Sequence, residues 1–505
     1  MLDLISVENA WLRLQSGDDA VDAVLVARGL AKAFMATASG AEPQWRSIDL
    51  LCEMAVDRRF DKAALGALYG GIVLPLCDDF SQWGVETCNR VLARIIDFVR
   101  RTPRGQGLEV GLDRLGFSDG AALLDRCRRL AVFPPPPIDV RAVKKVAVLS
   151  RVTVGADIVI TSVVVHRLLR ALPGVEVVVV GPSHLPQIFT DLARVRCLEL
   201  PYDRNGSLLD RLLVWESLDA MLRHEEEALA PGSFLVVDTD SRLAQLGLLP
   251  LTAEASSRCF PSRLNPWPGR NPSLNQLVND WLDGLLGAVA MQPPAVALPP
   301  AAVAAANVFC HRLRVAGCRF LIVANYGVGG DDNKRLGEPF ETSLLPALLD
   351  GGEDTVIILD SGCAREEKDR VAAQLDVYRQ QGIAVDFVDE AALAEKKIGF
   401  SHGVVGFHGS IGAIGGLIGR ADAFFGYDSC CQHLAGALAT PLVVVFAGAP
   451  NERFASRWHP YDGSGVATVI PVAGRPAPER ESADSLIDRV AAAMAAIRIL
   501  KEKNS

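Results

Sequence analysis

The sequence predicts an α/β protein with two Rossmann-like domains of parallel sheet and an additional α-helical N-terminal domain. Three observations lead to this fold class. Residues 1–132 carry periodic apolar stretches and no strand-like run of β-branched residues. After Pro134-Pro135-Pro136-Pro137, short apolar runs alternate with helix-length segments, first over 144–290 and again over 310–470. The runs are continuously apolar, which is typical of a sheet covered on both faces.

The apolar pattern places each element along the chain. In the helical domain, 20–35 and 88–99 show the period of amphipathic helices. The first sheet is predicted from strands at 144–150, 175–181 and 233–238, with a helix at 157–172. The second sheet is predicted from strands at 318–324, 355–359, 384–388, 404–407, 423–426 and 441–446. A C-terminal helix over 481–503 follows a Pro/Gly/Arg-rich linker.

Neither a membrane segment nor a secretory leader is expected. The uncharged stretch 284–310 contains Pro293-Pro294 and Pro299-Pro300, which would break a spanning helix, so we interpret it as a linker. The N-terminus has an early acid and no cationic region, which predicts a cytoplasmic protein. The 11 cysteines show no CxxC pair and no Cys/His ligand spacing. They are predicted to be reduced thiols, and neither a metal site nor a cofactor is expected.

The charge balance disfavours one class of partner. The 505 residues include 60 acidic and 51 basic side chains, which gives a net charge of −9. Proteins that bind a nucleic-acid backbone usually need a basic face, so no nucleic-acid partner is expected. An anionic small molecule held by a few local donors remains compatible with this composition.

The segment after the strand at 423–426 carries the most informative motif. It runs Asp428-Ser429-Cys430-Cys431-Gln432-His433, with small residues and Pro441 before the next strand. Helical spacing places Ser429, Gln432 and His433 on one face of a helix that follows the carboxyl end of a strand. Backbone N–H groups, a hydroxyl, an amide and an imidazole together suit a diphosphate. A capped helix with a core histidine is the alternative, but polar groups converging at one switch point favour a ligand.

Two further segments follow the first strands of the two sheets. Asp157, in Gly155-Ala156-Asp157, is either a helix N-cap or a general base that faces the cleft between the domains. Asn325 and Tyr326 begin a glycine-rich loop that ends near Lys334. Glycines allow the backbone to approach a ligand closely, and a lysine supplies charge to a phosphate. A solvated surface loop fits the same pattern equally well.

Two weaker candidates complete the set. Glu366, with its neighbour Glu367, follows the second strand of the second sheet, where an acid can bind ribose hydroxyls. A helix-start glutamate favoured by the helix dipole is the alternative. Arg242 follows a strand of the first sheet, on the side where an acceptor would enter. No GxGxxG motif follows the first strand, which disfavours a dinucleotide oxidoreductase.

These residues resemble the heptosyltransferase family of GT-B glycosyltransferases over about residues 144–470, outside the helical domain. The most specific part is the family's Asp-Thr/Ser-Gly-x-x-His-x-x-x-Ala segment, which here runs from Asp428 to Ala437 with cysteine in place of the glycine. By resemblance, the family's proposed catalytic aspartate corresponds to Asp157 and its nucleotide-domain lysine to Lys334. Its ribose-binding glutamate corresponds to Glu366 or Glu367. The Trp-Pro that follows the lysine in the family is absent here.

The resemblance implies a GT-B fold and the inverting transfer of a sugar, a heptose in the type enzymes, from a nucleoside-diphosphate sugar. An ADP-sugar is the favoured donor, and a hydroxyl of a glycan or protein is the acceptor. Asp157 would accept the acceptor's proton, and the donor site would stabilise the departing diphosphate without a metal. The residues assigned to that site are Asn325, Tyr326, Lys334, Glu366, Asp428, Ser429, Gln432 and His433.

Two other functions fit the same sequence. A GT-B-type nucleotide-sugar epimerase would use the diphosphate site without an acceptor. A non-catalytic protein would bind a nucleotide sugar, or only a partner. The helical domain is a candidate surface for homo-oligomerisation or for recognition of a protein acceptor.

Overall fold

The N-terminal part of the chain is helical, as predicted. The computed structural model describes residues 4–17, 22–40, 43–267, 269–472 and 482–504. Eight helices precede the first strand: α1 (Leu4–Gln15), α2 (Ala23–Thr37), α3 (Trp45–Val56), α4 (Asp61–Leu65), α5 (Leu74–Asp78), α6 (Gln82–Arg100), α7 (Gln106–Arg114) and α8 (Gly120–Leu130). The wider π-helical turns of Gly66–Val73 join α4 to α5. Up to residue 144, the described residues contain no strand.

The first sheet is parallel and has the strand order of a Rossmann-like domain. Its strands are β1 (Lys145–Leu149), β2 (Glu176–Gly181), β3 (Val195–Glu199), β4 (Phe234–Asp238) and β5 (Ser257–Cys259), in the order β3-β2-β1-β4-β5. Its helices are α9 (Val154–Ala156), continued by the π-helical turns Asp157–Thr161 and by α10 (Ser162–Ala171), then α11 (Leu208–Glu226) and α12 (Leu274–Leu286). The sequence did not predict β3 and β5, because β3 is half-exposed and polar and β5 has only three residues.

The second sheet is also parallel and has seven strands. They are β6 (Phe320–Asn325), β7 (Thr355–Asp360), β8 (Val385–Asp389), β9 (Gly403–His408), β10 (Ala423–Tyr427), β11 (Leu442–Ala447) and β12 (Ala467–Val472), in the order β12-β11-β10-β6-β7-β9-β8. Its helices are α13 (Pro300–Val315), α14 (Phe340–Leu349), α15 (Arg365–Gln380), α16 (Ile411–Ile418), α17 (Cys430–Ala437), α18 (Glu452–Arg457) and α19 (Ala483–Asn504). Strand β12 was not predicted.

Two predictions about connections need correction or a limit. The linker interpretation of 284–310 is wrong for its second half, because α13 begins at Pro300. Proline is tolerated in the first helical turn, where its missing N–H would have no partner anyway. The predicted C-terminal helix is present as α19, whereas residue 481 and the preceding linker at 473–480 lie outside the described residues. No helix among the described residues is long and apolar enough to cross a membrane.

The N-terminal helices cover one face of the first sheet. Successive residues of β1 alternate between two cores: Ala147 and Leu149 pack in the core of the N-terminal helices, and Val146 and Val148 pack in the core of α10 and α12. Between α7 and α11 the backbones approach closely, since a Cβ on Gly111 would lie 2.6 Å from the ring of Trp215. The helical domain and the first sheet therefore share one hydrophobic core.

The second core joins the two sheets. It contains one face of the first sheet with α10 and α12, and one face of the second sheet with α13, α16 and α17. The third core packs α14, α15 and α19 on the remaining face of the second sheet. In each sheet the strand order reverses direction at one point, between β1 and β4 in the first and between β6 and β10 in the second. Ligands bind outside the carboxyl ends of the strands at such points.

Candidate functional site

The first turn of α17 lies at the switch point of the second sheet, where β6 and β10 end. Asp428 is nearly buried there and accepts two hydrogen bonds. One comes from Lys334 Nζ to Oδ2 at 2.6 Å, and the other from Gln432 Nε2 to Oδ1 at 2.8 Å. The carboxylate therefore connects the loop after β6 to α17. It also holds the Lys334 ammonium beside the positive end of the helix dipole, so that two sources of positive potential coincide.

Asn325 connects this turn to the neighbouring strand β7. Ser429 is the residue before α17, but its hydroxyl does not cap the helix and instead lies 3.3 Å from Asn325 Oδ1. Asn325 Nδ2 in turn donates to Asp360 Oδ2 at 2.7 Å. Burial raises the pKa of Asp360 to about 6. Because Ser429 turns away, no side chain of that residue competes with a ligand for the first N–H groups of α17.

Gln432 and His433 are buried with unsatisfied polar atoms. Gln432 Oε1 and His433 Nδ1 have no hydrogen-bond partner within the described part of the chain. Burial lowers the pKa of His433 to about 4, although Asp428 opposes this shift. The imidazole is therefore neutral at neutral pH and offers hydrogen bonds rather than charge. Buried polar atoms without partners are uncommon in folded proteins, and their convergence here is typical of a binding site.

The first turn after β1 packs directly onto α17. A Cβ on Gly155 would lie 3.0 Å from His433 Cδ2 and 3.3 Å from Cys430 Cα. Only glycine allows the two domains to approach this closely without displacing the imidazole. Ser429 and Cys430 remain half-buried rather than covered. The cleft between the sheets is therefore narrow at this point.

Asp157 does not face the cleft, contrary to expectation. Its side chain has no exposed area and accepts four hydrogen bonds of 2.7–2.8 Å. The donors are the hydroxyls of Ser150 and Thr161, the backbone N–H of Arg151, and the ring of His184. Nor does it cap the helix, which begins three residues earlier. In this structure the hydrogen bonds of the carboxylate hold the loop after β1 in place.

The helical domain reaches the site through the turn between α5 and α6. Asn451 Nδ2 donates to the carbonyl oxygen of Asp78 at 3.2 Å. Arg453 donates from Nε to the carbonyl oxygen of Asp79 and from Nη2 to its carboxylate, both at 2.6 Å. The ring of Phe80 packs 6.2 Å from that of Phe454. The turn therefore bridges the helical domain and the second sheet.

Asp78 lies among the charges of the site. Burial raises its pKa to about 6, while Lys334 and Arg242 act in the opposite direction and Asp428 and Asp331 add to the rise. Lys334 Nζ also lies 5.1 Å from the centroid of the Phe454 ring, on which Phe80 packs. The charges of two predicted residues, Lys334 and Arg242, thus act on an acid that was not predicted from the sequence. The only indication of this acid in the sequence was the pair Asp78-Asp79 directly after an apolar run.

Tyr326 and Glu366 do not join this cluster. The Tyr326 ring is buried against Phe425 and Tyr427, and its hydroxyl donates to the carbonyl oxygen of Glu341 at 3.2 Å. The Tyr326 side chain therefore packs in the core, and the assignment of this residue to the donor site stays a prediction. Glu366 is exposed in the first turn of α15. Its neighbour Glu367 accepts a hydrogen bond from Ala364 N at 3.3 Å, as a helix-start glutamate does.

Comparison with known proteins finds similarity to solved structures but not to known sequences. The sequence matches no protein-family model and no curated protein. Among solved structures, it is similar to a glycosyl transferase family 9 protein from Veillonella parvula, with 15% identity and a TM-score of 0.47 over 68% of this chain and 91% of that one. It is also similar to E. coli ADP-heptose lps heptosyltransferase II, with 14% identity and a TM-score of 0.45 over 71% and 99%.

A third similar structure is E. coli heptosyltransferase WaaC with ADP, with 16% identity and a TM-score of 0.42 over 69% of this chain and 99% of that one. The two parallel sheets, five and seven strands wide, give this chain a GT-B-like fold.

The site has no cluster of metal ligands: the described residues contain no group of three His, Cys, Asp or Glu side chains suited to a metal ion.

Proposed function

We propose that this protein transfers a sugar from a nucleoside-diphosphate sugar to an acceptor hydroxyl, with inversion at the anomeric carbon. One observation carries the proposal: Lys334 and the uncapped first turn of α17 lie at the switch point of the second sheet, beside a His433 Nδ1 that has no partner among the described residues. An ammonium, backbone N–H groups and an imidazole N–H are the donors that a diphosphate needs.

The chemistry requires stabilisation of a leaving group. As the bond between the anomeric carbon and the diphosphate oxygen breaks, its electron pair moves to the diphosphate. The Lys334 ammonium neutralises that charge, and the α17 N–H groups and the neutral His433 imidazole donate hydrogen bonds to it. Asp428 holds the ammonium in place before the donor binds, since its Oδ2 lies 2.6 Å from Nζ. Removal of one such donor typically costs about 3 kcal/mol of transition-state stabilisation.

An ADP-sugar such as ADP-heptose is the first donor to test. The support is the sequence motif from Asp428 to Ala437, which resembles the diphosphate segment of the heptosyltransferases. A thermal-shift panel of ADP, UDP, GDP and dTDP selects the base, because a ligand that binds the native state raises the apparent melting temperature. No shift with any nucleotide would refute the nucleotide site.

The Lys334→Ala variant tests the site itself. Loss of a charge-assisted hydrogen bond of this kind costs about 1.5–3 kcal/mol, so we expect the Kd of the preferred nucleoside diphosphate to rise about 10- to 100-fold. Isothermal titration calorimetry measures this change. Lys368→Ala is the matched control, since Lys368 is exposed on α15 and should leave the Kd unchanged. An unchanged Kd in Lys334→Ala would remove Lys334 from the site.

Product analysis separates the alternatives. Incubation of the preferred nucleotide sugar with acceptor glycosides, followed by mass spectrometry, gives a glycosylated acceptor and free nucleoside diphosphate if the protein is a transferase. An isomerised sugar nucleotide would indicate an epimerase. Tight binding with neither product would indicate a binding protein.

A further inference from the structure

The end of α5 and the turn that follows it bring an acid to the second domain. Asp78 is the last residue of α5, and the carbonyl oxygens of Asp78 and Asp79 accept hydrogen bonds from Asn451 and Arg453 of the second domain. The ring of Phe80 packs on Phe454 and lies 5.6 Å from the Arg457 guanidinium. A position fixed from two domains is well suited to hold a side chain against bound substrates.

Asp78 lies beside the residues of the proposed donor site. Phe80, two residues further on, packs on the Phe454 ring, and Lys334 Nζ lies 5.1 Å from the centroid of the same ring. Burial raises the pKa of Asp78, and the charges of Lys334 and of Arg242, in the loop after β4, act in the opposite direction. Asp78 is therefore close to the lysine that holds the diphosphate in the proposed function.

Asp78 is also chemically available, unlike Asp157. It is half-buried, and among the described residues its carboxylate makes no hydrogen bond and no ion pair. The Asp157 carboxylate is buried and already accepts four hydrogen bonds. A general base must reach a substrate proton with a free lone pair. Of these two acids, only Asp78 meets that condition in this structure.

We propose that Asp78, supplied by the helical domain, is the general base that activates the acceptor hydroxyl; this rests on the proposed function. The acceptor oxygen forms a bond to the anomeric carbon while the bond from that carbon to the diphosphate breaks. The acceptor proton moves to the Asp78 carboxylate, and the leaving electron pair moves to the diphosphate beside Lys334. The positive charges of Lys334 and Arg242 favour the ionised carboxylate until the proton arrives.

The test compares Asp78→Asn with the wild-type protein. The assay measures release of nucleoside diphosphate from the preferred donor with p-nitrophenyl glycosides as acceptors, and calorimetry measures binding of the nucleoside diphosphate alone. We expect kcat/KM to fall about 10²- to 10⁴-fold, the usual contribution of a general base, with less than a threefold change in nucleotide Kd. Asp61→Asn, a half-buried acid that begins α4 in the same domain, should match wild type in both measurements.

The pH profile separates catalysis from structure. In the wild-type protein, kcat/KM should rise with pH through an apparent pKa of about 6, set by burial of Asp78 against the charges of Lys334, Arg242, Asp428 and Asp331. This limb should disappear in Asp78→Asn, and Asp78→Glu should partly restore both the rate and the limb. A structural role would change the melting temperature without removing the limb.

Each remaining outcome decides against a stated proposal. A fully active Asp78→Asn variant, or one that keeps the acid limb, would overturn the assignment of Asp78 while leaving sugar transfer established. An inactive Asp157→Asn variant with a wild-type melting temperature, beside an active Asp78→Asn variant, would assign the base to Asp157 instead. Wild-type protein that neither binds nucleotides nor releases them from any donor would overturn the proposed function, and the role of Asp78 with it.

Discussion

The carboxyl ends of the two sheets use their polar residues in different ways. At the first sheet, the carboxylates of Asp157 and Asp240 are saturated: Asp157 has four donors, and Asp240 accepts from Ser262 and twice from Arg263. At the second sheet, buried atoms of Gln432 and His433 have no partner in the described residues. A carboxylate whose acceptor positions are used stabilises a loop, whereas an imidazole nitrogen without a partner can still bind a ligand.

This difference in hydrogen bonding explains why the helical domain contributes an acid to the proposed site. The carboxylates of Asp157 and Asp240 hold the loops of the first sheet in place. Neither is therefore free to bind a substrate in the cleft. The helical domain, which already covers one face of that sheet, places Asp78 there instead. The acceptor half of the proposed site is therefore built by two parts of the chain, and the donor half by the second sheet alone.

The Asp157→Ala variant tests whether the Asp157 carboxylate is structural. A variant as stable as wild type would contradict the comparison of the two sheets. Removal of the carboxylate leaves four buried donors without an acceptor, so we expect the free energy of unfolding to fall by about 4 kcal/mol or more. Chemical denaturation of the variant and of wild type measures the difference. Asp119→Ala is the control, since it removes a single exposed helix cap and should cost about 1 kcal/mol. A loss below that of the control would show that Asp157 is not structural.

The grouping of the residues in the proposed donor half could be predicted from the sequence, because its information is local. The apolar strand, the turn and the polar residues at helical spacing from Ser429 to His433 are adjacent in the chain. The burial of the Tyr326 side chain could also have been predicted from the sequence. Phe320, Ile322, Ala324 and Tyr326 alternate along and beyond β6, and all four pack in the same core.

The acceptor half was not predictable in the same way. The partners that saturate Asp157 include His184, which follows a different strand, and no local pattern indicates that contact. The charges of Lys334 and Arg242 act on Asp78 because the helical domain packs on the first sheet and its turn contacts the residues at the start of α18. Spacing within one segment cannot reveal contacts between segments this far apart. The half-exposed strand β3 and the short strand β5 were missed for a simpler reason, the absence of a continuous apolar run.

The Gly155→Ala variant tests the contact between the first turn after β1 and α17, where the two halves of the proposed site meet. The added methyl group would lie 3.0 Å from His433 Cδ2, which forces either the imidazole or the first turn after β1 to move. Overpacking of this kind costs about 1–3 kcal/mol, measured as a fall in the free energy of unfolding. The nucleotide Kd should also rise, since His433 is displaced. Gly66→Ala is the control, because its added methyl group meets nothing within 4 Å. Equal behaviour of the two variants would mean that the narrow cleft opens freely.

Arg453→Ala has the smallest expected effect and tests how the helical domain is held at the site. The variant loses two hydrogen bonds to Asp79, but the arginine side chain is 40% exposed, so we expect only about 1 kcal/mol of lost stability. The turn after Asp78 should loosen more than the global fold does, because it keeps only its contacts with Asn451, Phe454 and Arg457 among the described residues. Hydrogen exchange at residues 78–80 should therefore accelerate, and kcat should fall while the nucleotide Kd stays constant. Arg379→Ala, which removes an exposed pair within α15, should change none of these. Faster exchange with an unchanged kcat would separate the turn from catalysis.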